Sequence, residues 1–228
     1  MSAKPETRYV GPQSFAPACP GSITADPLLV QRNLQIERSM LEEAQKYYDA
    51  GDLRWFFTKA HGEITRLINE NLDVFQRPDA LLRLNIHFAE EFVRALWGQP
   101  HEKWKAAFKR CQALEKASND TAALVGEAEF CGAAMAHVHI HVDLSAAINE
   151  VGCIPPEDYG NMLVFVKRGS LAALVKLRGQ AIGAAEAMME ALVAPMVELE
   201  VKAWRNAAYE NICHVPVPDP HPSFSPRL

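Results

Sequence analysis

The sequence predicts an all-α fold, a single-domain bundle of about six or seven helices with a central His-rich helix and irregular Pro-rich termini. Three observations point there. Apolar residues recur at helical spacing through most of residues 26–213. The breaks between those stretches are proline, glycine and Asp/Asn/Ser positions, which start and stop helices. Hairpin signals and β-branched alternation are absent outside one short segment, AHVHIHVDL at residues 136–144.

Each element follows from local chemistry. Residues 1–25 carry Pro5, Pro12, Pro17, Pro20 and Gly21 and read as an irregular arm. Asp26-Pro27 reads as an N-cap followed by proline in the first turn of a helix that stops at Gly51. Asp52 caps a second helix, which ends before Pro78; Asp79 starts a third, ending near Gly98; Pro100 opens a fourth. Ser118-Asn119-Asp120 is a turn and cap for a fifth helical region, which leads into AHVHIHVDL and closes at Gly152 and Pro155-Pro156. A short helix is expected over Glu157–Lys167, with Gly169-Ser170 as a break. The alanine-rich stretch from Leu171 to about Ile212 is helical again, kinked or split at Pro195, and suits a homodimer interface as well as a core. Residues 214–228 form a Pro-rich, extended tail.

Composition excludes several classes. The net charge is -5 with no basic block, which argues against a nucleic-acid partner. No run of ~18 apolar residues exists to span a membrane, and MSAKPETRYVGPQSF lacks the apolar core of a signal peptide. The cysteines Cys19, Cys111, Cys131, Cys153 and Cys213 are odd in number with no CxxC spacing, which favours free thiols in a reducing cytoplasm.

The segment AHVHIHVDL carries the candidate chemistry. As a strand it would place His137, His139, His141 and Asp143 on one face, and His139-x-His141-x-Asp143 resembles the metal motif of metallo-β-lactamase-like hydrolases. That motif continues with a histidine where this chain has Leu144, and no partner strand is predicted. A helix fits both flanks. Its advance of about 100° per residue stacks His137 on His141, and His139 on Asp143 on nearly the opposite side. With apolar residues between them, both pairs are expected to face other helices.

His137-Val138-His139-Ile140-His141-Val142-Asp143-Leu144, with Ala146 and Ala147, resembles the central helix of an uncharacterised all-helical domain-of-unknown-function family. That helix reads roughly Asn-Ala-His-Ile-Asn-x-Asp-Leu. His139, Ile140, Asp143 and Leu144 match; His137 and His141 stand where asparagines are usual. HGEIT, LNIHFAEEF, WKAAF and GCIPPEDY correspond more loosely, so the resemblance spans about residues 45–170. It implies the helical fold and assigns no reaction.

Two chemical readings follow. His139 and Asp143 form a candidate catalytic pair, the carboxylate setting the imidazole tautomer; otherwise they are a hydrogen-bonded core pair. His137 and His141 at i, i+4 could hold Fe or Zn with His87 and Glu91 from the HFAEE helix; Glu90, His61 and Glu63 are further candidate ligands, or a solvated face. The expected function is a small-molecule enzyme with a His-rich, metal-dependent centre, suited to oxidative chemistry in specialised metabolism. The alternatives are a metal-free His acid–base enzyme, such as an isomerase, cyclase or lyase, and a non-catalytic ligand-binding or scaffold bundle. The Trp55-Phe56-Phe57 run suits a core or a substrate wall.

Overall fold

A computed structural model describes residues 25–98, 100–114, 121–177, 200–222, 224 and 226. The irregular arm, Cys19, the Ser118-Asn119-Asp120 turn and the Pro195 kink lie outside the described residues. Among those described there is no strand, and the chain is an all-α bundle. Its helices are α1 (Pro27–Asp49), α2 (Arg54–Glu70), α3 (Pro78–Trp97), α4 (Glu102–Leu114), α5 (Thr121–Val138), α6 (Ser145–Val151), α7 (Pro156–Leu177) and α8 (Lys202–Cys213).

Helix ends follow the predicted chemistry. The Asp26 side chain accepts from Leu28 N at 2.9 Å, and the chain leaves α1 through Gly51 at φ 71. The Asp52 carboxylate accepts from Arg54 N at 2.9 Å at the start of α2. Asp158, near the start of α7, reaches across to accept from Gln76 N and Arg77 N, both at 2.9 Å, and so anchors the entry to α3.

α2 is the pillar of the bundle. It packs between α1 and α7 and also against α5. Its buried residues include polar ones, His61, Thr65 and Glu63, beside Trp55, Phe56, Phe57 and Ile68. A helix apolar on more than one side belongs in the interior. The Glu63 carboxylate is held by Lys59 and by Arg66 Nε at 2.7 Å. Thr65 also meets a buried amide chain, in which Asn85 of α3 donates to Asn33 of α1 at 2.7 Å.

Two sequence expectations are corrected. Gly169-Ser170 does not break a helix: α7 runs through it without interruption. A Cβ on Gly169 would lie 2.5 Å from Ile64 Cγ1 and 2.8 Å from Ala60 O, so glycine here lets α7 cross α2 at close range. Cys111, Cys131, Cys153 and Cys213 are not free thiols. They form disulfides Cys111–Cys131, joining α4 to α5, and Cys153–Cys213, joining the loop before α7 to the end of α8. The cysteines of each pair are 20 and 60 residues apart, and only helix packing brings them together.

The described residues of the Pro-rich tail dock on the bundle. Val217 N donates to Glu210 at 3.0 Å, His221 N donates to Asn161 at 3.0 Å, and Phe224 packs on Phe75 and Phe165.

The α2–α7 crossing yields the first prediction. Gly169→Ala is expected to cost about 1–3 kcal/mol, because the carbonyl of Ala60 cannot retreat without separating two helices. The urea midpoint should fall at constant m-value; an unchanged midpoint would refute the close-crossing account.

Candidate functional site

The segment AHVHIHVDL is helical, but not uniformly α. α5 ends at Val138, and His139–Leu144 form a π-helical turn that passes directly into α6. Short π-helical turns inside α-helices are rare and are found frequently at functional sites. The turn keeps both i, i+4 pairs and sends them to opposite surroundings. His139 and Asp143 are only 3% and 4% exposed. His137 and His141 are exposed, their rings 4.3 Å apart, with Trp204 of α8 packed edge-on to His137 at 4.9 Å. His137 and His141 thus meet another helix through Trp204 but, contrary to expectation, stay exposed to water.

Asp143 and His139 form the polar centre. Asp143 Oδ2 lies 2.7 Å from His139 Nδ1. Trp104 of α4, fully buried, donates its indole N–H to both carboxylate oxygens, at 3.2 and 3.1 Å. Burial pushes the Asp143 carboxyl up to about 7, against the opposing pull of the Trp104 N–H and of the His101 and Arg94 charges. Burial also holds His139 well below the ordinary imidazole range, so it stays neutral at physiological pH.

Aromatic rings surround this imidazole. Phe88 of α3 stacks on it at 3.5 Å and 12°, and Phe57 of α2 meets it edge-on at 5.4 Å. Beside it sits His61, 4% exposed, its ring centroid 4.8 Å from that of His139. His139 Nε2 and both nitrogens of His61 are buried without a hydrogen-bond partner among the described residues. Leaving such a group unpaired costs about 1–3 kcal/mol, so three in one cluster is unusual for a purely structural core. Burial, then the neighbouring His139, holds His61 well below the ordinary range.

His61 and His139 line a cavity between α2, α3, α5, the π-helical turn, α7 and α8. The cavity has a volume of about 130 Å³. The walls are mainly apolar, with Phe56, Leu84, Phe88, Ile140 and Met162 prominent. Phe56 fits there because position 132 is glycine: a Cβ would meet its ring at 2.5 Å. Of the aromatic run, Trp55 lies in the core, and Phe56 and Phe57 lie both in the core and along the cavity. Arg205 and Trp204 of α8 and Tyr159 of α7 complete the lining.

The ligand set expected from sequence is not assembled. Among the described residues, no group of three or more His, Cys, Asp and Glu is placed to hold a metal ion. His137 and His141 are exposed beside Trp204. His87 and Glu91 lie partly buried on α3, with Glu91 ion-paired to Arg94 at 2.6 Å. Glu90 is taken by Arg32 at 2.7 Å, and Glu63 by Lys59 and Arg66. These residues do not fit an Fe or Zn centre of the expected kind.

Sequence reasoning missed Trp104 and Arg205. Nothing local marks Trp104, since its partner is 39 residues away. Arg205 carried a signal: it occupies a buried-stripe position of α8, four residues after buried Val201 and four before buried Tyr209.

Comparison with protein-family models, with curated proteins and with solved structures gives no match to this chain.

The buried, neutral His61 makes stability pH-dependent. Its folded pKa is depressed, so its contribution is present above the unfolded value of about 6.5 and is lost as pH falls below it. Each pH unit below that point costs up to about 1.4 kcal/mol per histidine. His61→Phe should therefore flatten the acid limb of stability against pH by close to one proton. An unchanged slope in denaturant titrations from pH 7 to 5 would contradict this.

Proposed function

We propose that the protein is a small-molecule enzyme in which the His139–Asp143 pair performs general acid–base catalysis at the edge of the apolar cavity. One observation carries this reading. The imidazole has one nitrogen bound to a buried carboxylate and the other unpartnered, next to a second unpartnered imidazole on the cavity wall.

The pair exchanges a proton as a unit. With Asp143 ionised, His139 Nδ1–H donates to the carboxylate and Nε2 offers a lone pair, the general-base form. With Asp143 protonated, its O–H donates to Nδ1 and the hydrogen sits on Nε2, the general-acid form. A proton taken from substrate at Nε2 is thus balanced by passage of the Nδ1 proton to Asp143. The unit goes from one negative charge to none, and no isolated imidazolium forms in apolar surroundings. An Asp143 pKa of about 7 lets both forms coexist near neutrality, the condition for efficient acid–base work. Trp104 holds the carboxylate in place, and the surrounding rings exclude water from the imidazole. His61 is the second proton-handling group on the same wall.

The same proposal takes the likeness of His139, Ile140, Asp143 and Leu144 to the domain-of-unknown-function helix as family membership. Iron or zinc is not part of it. Among the described residues no helix is long and apolar enough to cross a membrane. The two disulfides support an oxidising compartment over the cytoplasm expected from the cysteine spacing.

Solvent exchange tests the chemistry without knowing the substrate. A pooled extract of small organic molecules is incubated with the protein in D2O and read by mass spectrometry. At least one compound should gain deuterium or be converted. His139→Gln and Asp143→Asn should each reduce this about 10²–10⁴-fold. For a proton-abstraction step the rate should rise through pH 7 as Asp143 ionises. Equal labelling by wild type and His139→Gln would remove the proposal.

A further inference from the structure

We infer that the cavity takes an apolar organic acid, whose carboxylate is held by Arg205 while its hydrophobic body lies against the aromatic and aliphatic walls. Arg205 is only 5% exposed and lies in the cavity wall. Among the described residues its side chain makes one hydrogen bond, from Nη2 to the Tyr159 carbonyl at 3.2 Å. Its guanidinium sits 4.6 Å over the Tyr159 ring, which supports the cation without neutralising it. No carboxylate pairs with it among the described residues.

That arrangement is incomplete as a purely structural device. A buried cation is costly unless an anion and further hydrogen bonds compensate it. Arginine presents a fork of N–H donors, and among the described residues this fork is used only by the bond from Nη2. The described cavity lining contains no Asp or Glu, so the charge inside the cavity is one-sided. A planar carboxylate matches the fork in two parallel hydrogen bonds and supplies the missing charge. The remainder of the lining calls for hydrocarbon or aromatic bulk, supplied by Leu84, Ile140, Met162 and Val166 among others.

Tyr159 makes the anchor rigid. Its hydroxyl donates to the Arg205 carbonyl at 2.8 Å, while Arg205 Nη2 donates to the Tyr159 carbonyl. Tyr209 stacks on Tyr159 at 4.4 Å and donates to the Ile154 carbonyl. The Cys153–Cys213 disulfide joins the same two stretches of chain. The guanidinium is therefore held where its donors need not reorganise to receive an anion.

Calling the acid a substrate rests on the acid–base reading above; its binding does not. The test is therefore a binding measurement. Octanoate, octanol and octylamine, and 3-phenylpropanoate with 3-phenylpropanol, are titrated into the full chain by calorimetry. The carboxylates are expected to bind at least tenfold tighter than their alcohols, and octylamine not detectably. Arg205→Met should erase the carboxylate preference while leaving alcohol binding intact, which also reports that the cavity is folded. Should Arg205→Met not fold, Arg205→Lys, which keeps the charge without the fork, should narrow the preference several-fold. Binding is measured without turnover, so failure of the anchor and failure of the acid–base reading are read separately. Equal binding of acid and alcohol by wild type, or an undiminished preference in Arg205→Met, would overturn the inference.

Discussion

The hydrogen bond between Asp143 and His139 is the constraint around which the site is organised. Both groups are removed from water, and neither tolerates that alone. Their pairing across one turn of a π-helical segment requires that turn to stay in the interior. Once it does, a third polar group is needed for the carboxylate, and Trp104 of α4 supplies it. The Cys111–Cys131 bond then ties the helix bearing that indole to the helix leading into the turn. A local polar pair thus fixes the placement of three successive stretches of chain.

The remaining buried polar groups sort into two kinds. Asn33, Asn85 and Asp158 have partners on other elements and specify how α1, α2, α3 and α7 meet, while Glu63 is held within α2. His61 and Nε2 of His139 have none among the described residues, as is also true of Glu127 Oε2 and Arg168 Nη1, and the Arg205 side chain donates there from Nη2 alone. Of these, His61, His139 and Arg205 border one cavity. A core selected for stability alone would replace them with hydrocarbon. Their concentration on one wall separates a place for chemistry from a polar core.

Much of the fold was readable because its signals are local. Asp26-Pro27, Gly51 and Asp52 act within a turn of their own positions, and the structure uses each as expected. The helical reading of residues 136–144 followed from alanine-rich flanks and the lack of any partner strand. The misreadings were equally local. Gly169-Ser170 looked like a break because a glycine required by a neighbouring helix has the same letter as one required by a turn. The i, i+4 spacing of His137 and His141 defined a face without saying what that face meets.

The sequence by itself determined the helical class, the main boundaries and the pairing of His139 with Asp143, since all of these depend on residues within one or two turns of each other. Tertiary structure alone decided that this pair faces inward and His137–His141 outward, that Trp104 and His61 join it, that four cysteines form two bridges and that Arg205 enters the cavity. Those outcomes depend on contacts between residues 20 to 78 positions apart in the chain. No local pattern encodes such separations; only the simultaneous packing of the helices selects them.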